Sequence, residues 1–99
     1  MEIDLLYVPD CPHRSVARHH LDLALARTRL SAVVREREIH SGDEAARLGM
    51  RGSPTILIDG HDPFADSEEP AGLSCRLYRS ETGVNGAPTV RQLADALGG

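Results

Sequence analysis

Two segments of this 99-residue chain constrain its fold more than any others: Tyr7-Val8-Pro9-Asp10-Cys11-Pro12-His13-Arg14 near the start and Arg51-Gly52-Ser53-Pro54-Thr55 in the middle. The first reads as a strand that stops at Pro9 and gives way to a helix opened by Cys11. Proline is tolerated where a helix begins and disrupts its interior, so Pro12 marks an opening rather than a midpoint. The second reads as a small-residue turn with a proline just before another strand. A cysteine in the first turn of a helix meets unpaired N–H groups and the positive end of the helix dipole, and both favour a thiolate. Arg14 adds positive charge, and the neighbouring carboxylate of Asp10 works against it.

The remaining pattern is α/β. Residues 3–8 are a mostly apolar run, as expected of a buried central strand. Residues 12–29 carry strong helix formers, with apolar residues around much of the circumference, which predicts a largely buried helix. Residues 33–39 read as a second strand with poor alternation, tolerable at a sheet edge. Ser41-Gly42-Asp43-Glu44 starts a short helix that ends before Gly49. Residues 55–59 form a third strand, 61–74 a long polar loop, and 75–79 a fourth strand. Thr89 caps a last helix whose apolar face is Val90, Leu93, Ala94 and Leu97. The order βαβαββα predicts a right-handed βαβ unit followed by a hairpin and a terminal helix, all in one domain over residues 1–99.

Composition narrows the chemistry. All eleven basic residues are arginines, so there is no lysine for a Schiff base or a phosphate-binding loop. The net charge of −4 and the scattered arginines suggest neither a nucleic-acid partner nor a membrane surface. Met1-Glu2-Ile3-Asp4 has no basic start and no long apolar stretch, so a cytoplasmic location is the expectation. Structural disulfides are rare there, so Cys11 and Cys75 are expected to be reactive, metal-binding or inert.

Cys11-Pro12-His13-Arg14, between a strand and a helix, resembles the active-site motif of the thioredoxin superfamily. Ser53-Pro54-Thr55 resembles the cis-proline turn of that superfamily. The resemblance implies a thioredoxin-like fold with a four-stranded mixed sheet flanked by helices. It also implies that Pro54 lies against the reactive cysteine, and that Ser53 offers its backbone to an extended peptide or thiol ligand. Gly52-Ser53-Pro54-Thr55, Asp59-Gly60 and Leu73-Ser74-Cys75-Arg76-Leu77-Tyr78-Arg79 are similar to a group of small bacterial thioredoxin-like proteins, some of them selenoproteins and some labelled alkylmercury lyase. Dithiol members of the superfamily have a second cysteine where this chain has Arg14.

Three functions follow as expectations. In the first, Cys11 is the nucleophile of a monothiol-type redox protein, and Cys75 or an external thiol resolves its mixed disulfide. Cys75 can do so only with Cα atoms within about 7 Å of each other. Partners would be a thiol or a disulfide, in a small molecule or a protein, with no cofactor. In the second, Cys11 and Cys75 bind a soft metal ion or cleave a carbon–mercury bond, with Asp10 as the nearest acid. In the third, the fold is a non-catalytic binding module. His13 is read as an exposed motif position, His19 and His20 as structural or solvated, and His40 and His61 as belonging to no metal site. Asp62, Asp66, Glu68 and Glu69 are read as a solubilising loop.

Overall fold

The computed structural model describes residues 1–65 and 70–98. The order is β1 (Glu2–Tyr7), α1 (Arg14–Thr28), β2 (Val33–Glu38), α2 (Gly42–Leu48), β3 (Arg51–Ser53), β4 (Thr55–Ile58), β5 (Gly72–Cys75), β6 (Tyr78–Ser80), β7 (Gly83–Asn85) and α3 (Val90–Ala96). β1 lies in the middle of a three-stranded mixed sheet, parallel to β2 and antiparallel to β4. Its side chains alternate between two covered faces. Ile3 and Leu5 pack with Ala17, Leu21 and Ala24 of α1 and Leu93 and Ala94 of α3, whereas Leu6 packs with Ile39, Ala45 of α2 and Met50. Helices on both faces account for the apolar run without alternation in β1.

β2 holds the edge, as its charges require. Arg35 is hydrogen-bonded to Asp4 at 3.1 Å across the strand pair, and Glu36 reaches out to α1. The helix boundaries follow local chemistry. The Ser41 hydroxyl accepts from the Glu44 N–H, and Gly49 ends α2 at φ 79°. Thr89 and Gln92 form a reciprocal capping box on α3.

Three expectations need correction. Among the described residues, the sheet around β1 has three strands, not four. The segment expected as one fourth strand is split into β5, paired in parallel with β3, and β6, paired with β7. The break falls at Arg76, whose side chain turns inward to an ion pair and interrupts the run. α1 is also less buried than its composition suggested. Only Ala17, Leu21 and Ala24 are fully covered, while Val16 and Leu23 are 42% and 45% exposed. Its helix former content reflects propensity more than burial. Finally, part of the expected loop 61–74 is strand β5, and Asp62 is buried rather than solvated. The readings of Asp66, Glu68 and Glu69 fall outside the described residues. Among the described residues, no helix is long and apolar enough to cross a membrane.

Candidate functional site around Ser53

β1 ends at Tyr7, and the chain turns sharply through Asp10 at φ 60°. The Cys11 N–H donates to the Val8 carbonyl at 3.2 Å, and the Arg14 N–H donates to the Cys11 carbonyl at 3.4 Å. α1 starts at Arg14 with His13 as its N-cap residue, so Cys11 stands in the turn before the helix rather than in its first turn. The positive φ of Asp10 and the turn after it delay the helix by two residues relative to Pro12. The first-turn N–H groups therefore belong to residues beyond Cys11. Cys11 is partly exposed and unpaired as a thiol.

The Ser53–Pro54 peptide is cis. Ser53 is buried and its side-chain oxygen accepts from the Val8 N–H at 3.1 Å. This bond joins the cis-proline turn to the start of the Cys11 turn. On its other side, Ser53 is in parallel register with Cys75, and its carbonyl accepts from the Arg76 N–H at 3.1 Å. One buried residue thus anchors the chain segments that carry both cysteines. The same bond engages within the chain the carbonyl of Ser53, one part of the backbone that the resemblance had offered to a ligand.

Gly52 makes this close approach possible. Its φ is 96°, and a Cβ there would fall 2.9 Å from both the Ser74 carbonyl oxygen and the Arg76 Cβ. The Tyr78 hydroxyl donates to the Pro54 carbonyl. Arg76 is itself buried against Asp62, with a 2.6 Å contact and side-chain exposures of 4% and 5%. Its second nitrogen donates to the Phe64 carbonyl at 2.9 Å, and its guanidinium lies 4.7 Å from the Tyr78 ring centre. Asp62 also accepts from the Phe64 N–H at 2.9 Å. Cys75, immediately before Arg76, is exposed, so this packed network sits directly behind an accessible thiol.

On the Cys11 side, the residues lining an open groove include Cys11, Arg14, Arg18, His19, Asp22 and Glu36. Arg14 Nε is 3.0 Å from one Glu36 oxygen and Arg18 Nη1 is 3.3 Å from the other. Arg18 also pairs with Asp22 at 3.0 Å. The Arg14 guanidinium lies 4.1 Å over the Tyr7 ring. The hydrogen bond to Glu36 raises the Arg14 pKa above its ordinary value against a smaller opposing effect of desolvation, so the group is charged at any working pH.

His13 is not an open motif position: its ring packs against Gly86, so closely that a Cβ there would fall 2.3–2.5 Å from ring atoms. His20 hydrogen-bonds through Nδ1 with the Pro88 carbonyl at 2.7 Å. Both histidines serve the seam between α1 and the segment leading to α3. Cys75 lines a second groove, with Arg51, Arg76 and Arg79 among its neighbours, and Cys11 is not part of it. Among the described residues, no three His, Cys, Asp or Glu side chains are grouped to hold a metal ion. Sequence reasoning missed Asp62 and Tyr78; the only available signal for Asp62 was its position beside Pro63-Phe64 in an otherwise polar segment. The chain matches no protein-family model, no curated protein and no solved structure.

Proposed function

We propose that this chain is a thioredoxin-like thiol redox protein in which Cys11 is the nucleophile. The observation that carries the reading is Ser53: a buried serine before a cis-proline, hydrogen-bonded to Val8 at the root of the Cys11 turn and paired with Cys75 on its other side. A fold that keeps one accessible sulfur on each side of such an anchor is suited to exchange at sulfur.

The reaction is a two-step transfer. The Cys11 thiolate attacks one sulfur of a disulfide, a new S–S bond forms to Cys11, and the other sulfur leaves as a thiolate. A second thiolate then attacks the mixed disulfide. An external thiol attacking the substrate sulfur returns Cys11 as thiolate and forms a new external disulfide. Cys75 attacking the Cys11 sulfur instead releases the substrate as thiolate and leaves a Cys11–Cys75 disulfide, which an external dithiol would have to reduce. Arg14 stands where a second motif cysteine would close the bond locally, so the external route is favoured. The two cysteines also line separate grooves, which supports the same choice.

The test is to trap a mixed disulfide with an aromatic disulfide reagent and locate it by mass spectrometry. Cys11→Ser should abolish the adduct of the faster-reacting thiol, and Cys75→Ser should leave it in place. A native Cys11 that reacts no faster than the same cysteine in urea would overturn the redox reading. That outcome would favour a non-catalytic module, a second reading supported by the engaged Ser53 carbonyl and by the position of Cys11 outside the helix.

A further inference from the structure

We infer that Glu36 is a positioning residue for Cys11: it gathers Arg14 and Arg18 into one fork and, together with Asp22, balances their charge in the groove that Cys11 lines, making the thiol indifferent to the charge of its partner. This rests on the reading of Cys11 as the reacting sulfur. Arg14 and Arg18 are one helical turn apart on α1 and so share a face. Left alone, they would place two cations beside Cys11, and anionic disulfides would be drawn to it. The neighbouring strand supplies the correction. Glu36 gives one carboxylate oxygen to Arg14 at 3.0 Å and the other to Arg18 at 3.3 Å.

Asp22 takes the remaining side of Arg18 at 3.0 Å, so two guanidiniums in the groove face two carboxylates. Glu36 also decides where the Arg14 charge rests. With its Nε committed to β2, the guanidinium sits over the Tyr7 ring at 4.1 Å, at the end of β1 just before the turn that carries Cys11. An edge strand has a general reason to carry charge, but that reason does not require a single glutamate bonded to two arginines of the helix behind the thiol. Loss of Glu36 would leave the groove with a surplus positive charge and an Arg14 free to swing from the ring.

The experiment uses the full chain with Cys75→Ser, so that one thiol is read. Second-order alkylation rates at Cys11 are measured by mass spectrometry with neutral iodoacetamide and anionic iodoacetate, with and without Glu36→Gln. The ratio of anionic to neutral rates should rise about two- to five-fold in Glu36→Gln at low ionic strength, the size expected for one unit charge near the surface. The increase should vanish at about 1 M salt, where the screening length is about 3 Å. It should also vanish in Glu36→Gln with Arg14→Ala.

An unchanged ratio, or both rates moving by the same factor, would overturn the proposal, since altered access affects the two reagents equally. A Cys11 closed to both reagents would overturn this proposal and the redox reading together. A shifted ratio in a protein that never yields a mixed disulfide would leave the role of Glu36 standing and remove the redox function alone.

Discussion

Each of the two cysteines has an arginine–carboxylate pair nearby, and the two pairs sit in opposite surroundings. Arg76 and Asp62 are buried behind Cys75, at 4% and 5% side-chain exposure. Arg14 and Glu36 are open to solvent beside Cys11, at 45% and 26%. Burial changes what an ion pair can do. Removing one partner of a buried pair strands a charge in a poor solvent, so the pair acts as a lock on the backbone around it. Water competes for an exposed pair at every moment, so that pair contributes little to the fold but still sets the local charge. The Cys75 side is therefore the scaffold of the site, and the Cys11 side is its adjustable part.

The sharpest way to break this contrast is to cut the lock. Asp62→Ala removes the carboxylate that pairs with the Arg76 guanidinium at 2.6 Å, while its contacts to the Phe64 carbonyl and to Thr55 at 3.5 Å stay in place. The expected loss is about 3–5 kcal/mol of unfolding free energy, measured by urea denaturation. For a 99-residue chain that is a large part of the total stability. The Cys75 thiol should become more accessible as β5 detaches from β3. A loss below about 1 kcal/mol would mean that Arg76 finds water on losing Asp62, and the lock would be no lock.

That pair also marks where the sequence ceases to be readable. β1, the two capped helices α2 and α3, and the cis-proline turn leave local signatures: an apolar run, a serine or threonine cap, a glycine stop, a Ser-Pro step. Each can be recognised within a few residues. Asp62 and Arg76 are 14 residues apart, and each alone looks like an ordinary solvated charge. Only the fold brings them together, and only burial gives them meaning.

β3 and β5 escape for a related reason. Each strand is short, 3 and 4 residues, with no alternation to announce it. Their pairing is set by Gly52 and by the bond between Arg76 and Ser53. The position of Cys11 was legible to within a turn, but the left-handed Asp10 that displaces it from the helix was not, since aspartate enters that region at only a minority of its positions.

A second break is Gly52→Ala. The added Cβ would be in a left-handed conformation and 2.9 Å from a backbone oxygen that belongs to β5. Strain and displacement together should cost about 2–3 kcal/mol. The loss should appear in urea unfolding, accompanied by faster alkylation of Cys75 and little change at Cys11. Equal acceleration of both thiols would show that the two sides of Ser53 move as one body, which would remove the distinction between scaffold and adjustable part.

Tyr78→Phe probes the same side more gently. The ring remains packed edge-on against Phe64 at 5.5 Å, and the donor to the Pro54 carbonyl is lost. A buried carbonyl left without that donor should cost about 1–2 kcal/mol, visible as a lower urea midpoint with an unchanged slope. A neutral outcome would mean that the Pro54 carbonyl finds another partner, and the scaffold would then rest on Arg76 alone.

The smallest expected effect on stability belongs to Glu36→Gln, and its smallness is the point. Glutamine keeps the length and one hydrogen-bonding oxygen while removing the charge that both Arg14 and Arg18 use. If the exposed pair tunes charge without supporting the fold, the urea midpoint should match that of the unaltered protein at low salt and at high salt alike. The charge preference of Cys11 would change over the same range. A midpoint shift as large as that of Gly52→Ala would mean that Glu36 braces α1 against β2, as Asp62 braces Arg76. The two pairs would then differ in exposure but not in role, and the groove at Cys11 would be as much scaffold as the packed network behind Cys75.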